Sequence, residues 1–318
     1  MDSNELSKLK VNNTMCAPNT DATDNVQEHH TCFTRNELLS IINAFNNYII
    51  NNKLCSDKLV DDSNMAIGVC VENQELITIT SQDSIEKLWY KIYKKLSPIC
   101  KYESCWVSLD FINRIKDKKL IKKLRYFTFK PKFYNNREKW LNTLDIDYVM
   151  QQYARLHKDF LYIGTEPCDF YKFRKLNYDK ICNSKTVGLV FNLDKSDKPG
   201  SHWTSLFIDN TERNIYYFDS TGQNPNKYIR HFIKNYPVEY SKNYPVEYSK
   251  NSNNQYIHSD KVFTVYINKK VHQKGNSECG VYSIYFLINK IKTKDPINNK
   301  RITDKNMNDF RKYIFNYN

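Results

Sequence analysis

Gln273 and Cys279 stand six positions apart in the stretch Val271–Ile288. The first half of that stretch is polar and glycine-bearing, as a loop would be. In the second half Val281, Tyr282, Tyr285, Phe286, Leu287 and Ile288 supply a broad apolar helical surface. Cys279 is therefore expected where a loop turns into the first turn of a buried helix. The unpaired N–H groups and the dipole of such a terminus favour thiolate over thiol. A thiolate beside a preset side-chain amide can attack an acyl carbon, and the amide can then hold the resulting oxyanion. That chemistry still needs an imidazole and a carboxylate to orient it.

A hairpin supplies both. Ser201–Ile208 alternates, Asp209–Asn214 is turn-forming, and Ile215–Ser220 is the returning strand. Folding about Asn210–Arg213 brings His202 and Asp219 across from each other to within about one residue. A flat-sheet register puts them on the face of Leu206 and Tyr217. His202 can then accept a proton from Cys279 on one side and be oriented by Asp219 on the other. Taken singly, each residue has an ordinary reading. A His before Trp at a strand end is commonly a rim residue, a Cys opening an apolar helix is commonly a small core side chain, and an Asp closing a strand is commonly turn chemistry. Their order and spacing together carry the catalytic reading, with Trp203 as a lid or wall over the His–Cys pair.

The 318 residues suffice for one large domain, or for a domain with an appendage. Lys and Arg number 48 against 35 acidic residues, so the formal charge of +13 admits weak binding to a polyanion such as nucleic acid. The lysines are spread among Asn, Ile and Tyr with no basic block, which favours a compositional bias over a dedicated site. The nine cysteines are an odd number with no C-x-x-C pair, so free thiols in a reducing, cytosol-like compartment are expected. His29, His30 and Cys32 cluster without a second ligand pair, which argues against zinc. No metal or cofactor is expected, only reducing conditions. No apolar run reaches membrane-spanning length, and no signal h-region opens the chain.

In chain order, residues 1–33 are polar and read as a disordered leader. From Thr34, a fair N-cap, Leu38, Leu39, Ile41, Ile42, Phe45 and Ile49 recur at helical spacing. Ser84–Tyr93 predicts a second helix, with Ile85, Leu88, Trp89 and Ile92 on one face. A third, very basic one runs from about Asp110 to Leu124. Residues 34–125 thus form a mainly helical module, and 126–318 a second domain. Phe127–Asn136 is an extended connector. A helix follows Trp140-Leu-Asn142, capped by Asn142 or Thr143, with Leu144, Tyr148 and Val149 inward. Val187–Leu193 and Val262–Ile267 read as strands. The octapeptide Lys-Asn-Tyr-Pro-Val-Glu-Tyr-Ser occurs twice between Lys234 and Ser249, predicting a surface-loop insertion over about 234–256. Ile302–Phe315 is an amphipathic helix capped by Thr303 or Asp304, with Met307, Phe310 and Ile314 inward.

His202-Trp203, Phe218-Asp219-Ser-Thr-Gly222 and Gln273 through Cys279-Gly280 resemble the clan of ubiquitin-like-protein proteases, which includes SUMO-specific and viral maturation proteases. The similarity is closer still to core-polyprotein-processing proteases of the African swine fever virus type. There it takes in Gly200-Ser-His-Trp, Ile215 to Gly222, His272 to Ser283 and Arg301-Ile-Thr-Asp304, and it covers roughly Trp140 to the C-terminus. The resemblance implies an α+β, papain-like core with a central, mostly antiparallel sheet flanked by helices, plus a mainly helical N-terminal arm module. It also implies a substrate channel near Trp140 and Asn142 with Trp203, and cleavage after Gly-Gly in viral core polyproteins. The swine fever type carries Asn where this chain has Asp219; the wider clan carries Asp.

The expectation is a cysteine endopeptidase with Cys279 as nucleophile, His202 as base then acid, Asp219 as orienter and Gln273 as oxyanion donor. The resemblance places it in host cytoplasm and virion core. A deconjugase of ubiquitin-like modifiers keeps the same fold, and a basic DNA- or core-binding protein with a vestigial site is the reading from another class.

Overall fold

The computed structural model describes residues 15–18, 31–50, 54–55, 70–71, 75–100, 102–133, 139–243, 249–250, 256–257, 263–293 and 300–316. Two compact units divide the chain at Lys130 and Pro131, inside the segment read as a connector.

In the N-terminal unit, α1 (Arg35–Ile49) starts where the sequence says it should. Thr34 accepts from the Glu37 N–H, and the Glu37 carboxylate accepts from the Thr34 N–H, a reciprocal cap. Leu38, Ile41, Ile42 and Phe45 are buried on one face. α2 (Ile85–Leu96) is capped by Ser84 and buries Leu88, Ile92 and Leu96. The expected third helix is broken. A 3₁₀ segment at Asp110–Arg114 ends at Ile115, and α3 (Lys118–Tyr126) restarts at Asp117, whose carboxylate accepts from the N–H groups of Lys119 and Leu120. A well-placed cap inside a periodic run splits the run in two.

Two expectations for this unit are corrected. Residues 15–18 and 31–33 are not a leader: Ala17 and Phe33 are buried and Cys16 bridges to Phe129. Nor are all thiols free, since Cys16 is bonded to Cys32 and Cys100 to Cys105. The partners stand 16 and 5 positions apart, and neither spacing by itself marks a disulfide. His29 and His30 lie outside the described residues.

The C-terminal unit is built on a five-stranded sheet. Its strands are β1 (Phe160–Pro167), β2 (Thr186–Asn192), β3 (Trp203–Asp209), β4 (Asn214–Phe218) and β5 (Thr264–Ile267), hydrogen-bonded in that order. β1–β2 and β4–β5 are parallel, while β2–β3 and β3–β4 are antiparallel. The sheet is thus mixed and not mostly antiparallel, because β1 and β5 enter through long crossovers. β1 and the short helix Tyr178–Asn183 have no counterpart in the sequence reading. All seven residues of β3 are buried, and their alternation divides two cores. Leu206 and Ile208 join Val187, Leu189, Ile215 and Tyr217 under α5 (Lys227–Asn243), whose Ile229, Phe232, Ile233 and Tyr236 face them. Phe207 and Val190 lie on the other face with α4 (Thr143–Leu156), α6 (Cys279–Thr293) and α7 (Asp304–Ile314).

The first octapeptide copy is helix, not loop. Lys234–Ser241 continues α5, and Tyr236 is buried with its hydroxyl donating to Asn210 Oδ1 at 2.8 Å. Ile229, Phe232, Ile233 and Tyr236 recur at helical spacing across the start of the repeat, and Pro237 sits within the helix. Residues 244–248 of the second copy lie outside the described residues. On α4 the inward residues are Ile146, Val149, Met150 and Tyr153. Leu144 and Tyr148, expected inward, are exposed, because they fall roughly half a turn from that face.

Candidate active site

β3 begins at Trp203 and β4 ends at Phe218, so His202 and Asp219 each stand one residue beyond a strand. The ladder pairs Ser205 with Phe218, which sets Thr204 and not His202 opposite Asp219. His202 and Asp219 therefore meet diagonally through their side chains, where the strand pleat no longer dictates direction. Nε2 of His202 lies 2.9 Å from Oδ1 of Asp219, whose side chain is fully buried. The same Oδ1 accepts from the backbone N–H and the hydroxyl of Thr221, each at 2.8 Å. The Nε2 hydrogen faces Asp219, which leaves Nδ1 to carry the proton exchanged with Cys279.

The turn that presents Asp219 is tightly built. Gly222 has a φ of +74°, and a Cβ there would meet the Lys269 carbonyl oxygen at 2.7 Å. The Asp219 carbonyl accepts from the Gly222 N–H at 2.9 Å and from the Asn268 side chain at 2.7 Å. Burial opposes charge on the His202 ring. Hydrogen bonds to Asp219 and to Cys279, with the charges of both, outweigh it and raise His202 to about 9.

Cys279 is the first residue of α6 and is buried. Its neighbour Gly280 lets the helix start seat closely: a Cβ there would lie 3.1 Å from Leu141 and 3.2 Å from Trp203. The Trp203 indole donates to the Leu141 carbonyl at 2.9 Å and is buried. Fastened in this way it is a wall and not a lid. Of the other residues expected to line a channel, Trp140 is 44% exposed. Asn142 is committed to capping α4 by accepting from Asp145, which accepts in return.

Gln273 is held at three points. Its backbone N–H donates to the Ser220 carbonyl at 2.9 Å, its Oε1 accepts from the Ser220 hydroxyl at 2.7 Å, and its Nε2 donates to the Gly275 carbonyl at 2.9 Å. Among the described residues Nε2 donates only this one hydrogen bond, which leaves its second hydrogen for a ligand. The preceding His272 is fully buried between Phe218 and Tyr282, and its Nδ1 accepts from the Ile302 N–H. Burial, with the charges of Lys270 and Arg301, lowers it to about 4, so it is neutral at physiological pH.

α7 braces this loop. The Asp304 carboxylate accepts from the N–H groups of Lys274 and Gly275 and from the Tyr282 hydroxyl. The fully buried Arg311 donates to the carbonyls of Ser277 and Lys139. Sequence reasoning gave none of Ser220, His272, Asp304 or Arg311 a part in the site: Ser220, His272 and Asp304 fall inside the motifs that carry the resemblance, and Asp304 was read only as an alternative to Thr303, which is the cap.

With this geometry in place, the Ulp1 protease family, C-terminal catalytic domain, matches residues 107–318, two thirds of the chain. The chain belongs to that family. A putative thiol protease of Acanthamoeba polyphaga mimivirus is 29% identical over 271 residues, spanning 82% of this chain and 80% of the relative. A cysteine protease of African swine fever virus is 27% identical over 273 residues, covering 74% and 93%. The crystal structure of a protease from that virus superposes with a TM-score of 0.52 at 22% identity, over 76% of this chain and 94% of that one, which establishes the shared fold. This Ulp1-family chain is a cysteine protease, with an α+β core of the papain-like type.

Proposed function

We propose that this protease is an endopeptidase that matures viral core or capsid polyproteins, cutting after Gly-Gly. Cys279 is the nucleophile and His202 the proton carrier. Asp219 holds the His202 ring, and Gln273 with the Cys279 backbone N–H forms the oxyanion site. Nδ1 takes the Cys279 proton, and the sulfur attacks the scissile carbonyl carbon. The tetrahedral oxyanion collapses as the C–N bond breaks, and the imidazolium returns its proton to the leaving amine. A water molecule, deprotonated by the same nitrogen, then cleaves the thioester. The carboxylic product leaves and the thiol is restored. The observation that carries this reading is a half-buried imidazole hydrogen-bonded to the Asp219 carboxylate and lying beside the sulfur that opens α6, which together raise its pKa.

The polyprotein substrate draws support from the viral origin of the relatives. The Gly-Gly preference rests on the motif resemblance. The reading is tested by mass spectrometry of a virion core polyprotein and of a Gly-Gly-X peptide, each incubated with wild type and with Cys279→Ala. Cleavage that persists in Cys279→Ala sinks it. A deconjugase would cut a SUMO- or ubiquitin-like fusion at least as fast as the short peptide. We further place the enzyme at assembly sites in host cytoplasm and in the virion core.

A specific surface favours a supplementary affinity for nucleic acid. Arg114, Lys116, Lys118, Lys119 and Lys122 are all exposed along and just before α3. Binding through phosphates alone would weaken steeply and log-linearly with salt. A basic binding protein with a vestigial site would show that dependence with no thiol reactivity at neutral pH.

A further inference from the structure

Asp219 and Ser220 are consecutive residues at the end of β4, yet they serve different parts of the site. The Asp219 carboxylate holds the imidazole, as described. Ser220 is also buried, and its hydroxyl lies 2.7 Å from Gln273 Oε1. The Ser220 carbonyl accepts from the N–H groups of both His272 and Gln273, at 2.8 and 2.9 Å. The side-chain amide of Gln273 turns about a terminal torsion whose energy wells are broad and roughly two-fold, so packing alone holds it poorly. On one side the Gly275 carbonyl can only accept, which decides that Nε2 and not Oε1 faces it. On the other side the Ser220 hydroxyl removes the remaining rotational freedom by donating to Oε1.

We propose that Ser220 is a positioning residue for the oxyanion donor: its hydroxyl fixes the Gln273 amide so that the free Nε2 hydrogen is held in place before substrate arrives. The inference rests on the acyl-transfer reading of this site and deepens it. One dipeptide then aligns the base through Asp219 and the electrostatic stabiliser through Ser220, so a single turn sets the geometry of both. Without the hydroxyl, Oε1 is buried unpaired and the amide librates. A hydrogen bond that must be preset for a transient charge loses much of its value when it is no longer aligned.

The test separates acyl transfer from thiol reactivity in the full chain. Alkylation of Cys279 by iodoacetamide needs the thiolate but no oxyanion site, whereas peptide hydrolysis needs both. Ser220→Ala is expected to lower kcat for a Gly-Gly-X peptide about tenfold with KM nearly unchanged. The alkylation rate and its pH profile should stay at wild-type values. Gln273→Ala should lose more, and the double variant should be no slower than Gln273→Ala alone, because the hydroxyl acts only through that amide. Unchanged hydrolysis in Ser220→Ala overturns the proposal, as do losses that multiply in the double variant. Alkylation that falls in step with hydrolysis also overturns it, since the turn would then be supporting the Cys–His pair. Hydrolysis that survives Cys279→Ala refutes the acyl-transfer reading itself, a result distinguishable from each of these.

Discussion

Asp219 places one carboxylate oxygen, Oδ1, 2.9 Å from His202 Nε2 and within 2.8 Å of two groups of Thr221, while its other oxygen, buried as well, has no partner among the described residues. The bond from the imidazole and the two that hold the carboxylate therefore converge on a single atom. An Asn whose carbonyl oxygen occupies that place keeps all three bonds and sets its amide where Oδ2 has none. It holds the same His tautomer and loses only the charge. Asp219→Asn is expected to retain activity within about tenfold of wild type, with the alkaline limb of the kcat/KM profile moved to lower pH. Asp219→Ala, which loses the tautomer as well, should fall by about a hundredfold or more. Equal losses in the two variants would mean that charge and not orientation is what Asp219 supplies.

Two histidines give stability opposite dependences on pH. His202 is raised from 6.5 to about 9 in the folded protein. Its contribution is complete below 6.5 and is lost as pH rises through about 9. His272 is depressed from 6.5 to about 4, so its contribution is complete above 6.5 and is lost as pH falls through about 4. Each is worth about 3 kcal/mol at most. Thermal unfolding followed from pH 4 to pH 10 should show a maximum near neutrality. His202→Gln should flatten the alkaline side only, and His272→Asn the acid side only. A variant that flattens the opposite side contradicts the assignment.

The catalytic arrangement was legible because its parts carry signals that local rules read. A loop-to-helix change of period marks Cys279, a turn between alternating runs brings His202 towards Asp219, and Thr34, Ser84 and Thr303 are caps followed by helical periodicity. What stayed hidden depends on distant partners. The strand Phe160–Pro167 has a mixed burial pattern and is defined by parallel pairing to Thr186–Asn192. The tandem repeat suggested a loop, yet Tyr236 is drawn into the core by packing that began at Ile229. Ser220 and Arg311 are polar side chains whose burial follows from tertiary contacts, so no pattern along the chain announces them.

Within the described residues the disulfides fall in the N-terminal unit, while Cys168, Cys182 and Cys279 of the C-terminal unit are free. Reductant should therefore act on the two units differently. It keeps Cys279 reactive, and it opens the loop closed by Cys16 and Cys32, 16 positions apart, a closure worth about 3 kcal/mol to the folded state. Unfolding of the N-terminal unit, followed by hydrogen exchange over residues 35–49, is expected to become easier with reductant or with Cys16→Ser. Cys279 alkylation should be unaffected. Recovery of Cys16 and Cys32 as freely alkylated thiols from the purified, non-reduced protein would show that the bond does not form.

The last prediction concerns the outer face of α4. Ile146, Val149, Met150 and Tyr153 bury one side of this helix, while Leu144, 60% exposed, and Tyr148, 37% exposed, lie on the other. Trp140, also exposed, precedes the helix cap, and the intervening Leu141 packs at the position of Gly280 beside Cys279. An apolar strip therefore leads away from the candidate nucleophile along one helix. Large apolar side chains left contiguous in water suit contact with another polypeptide, and a substrate chain extending from the scissile bond is the partner within reach. Contacts of this kind, remote from the reacting atoms, act alike on substrate and transition state. Leu144→Ser and Tyr148→Ser should each raise KM about three- to tenfold for a polyprotein-derived substrate while leaving kcat close to wild type. A tripeptide substrate too short to reach the strip should show no change. If both substrates lose kcat equally, the strip supports the catalytic turn and binds nothing.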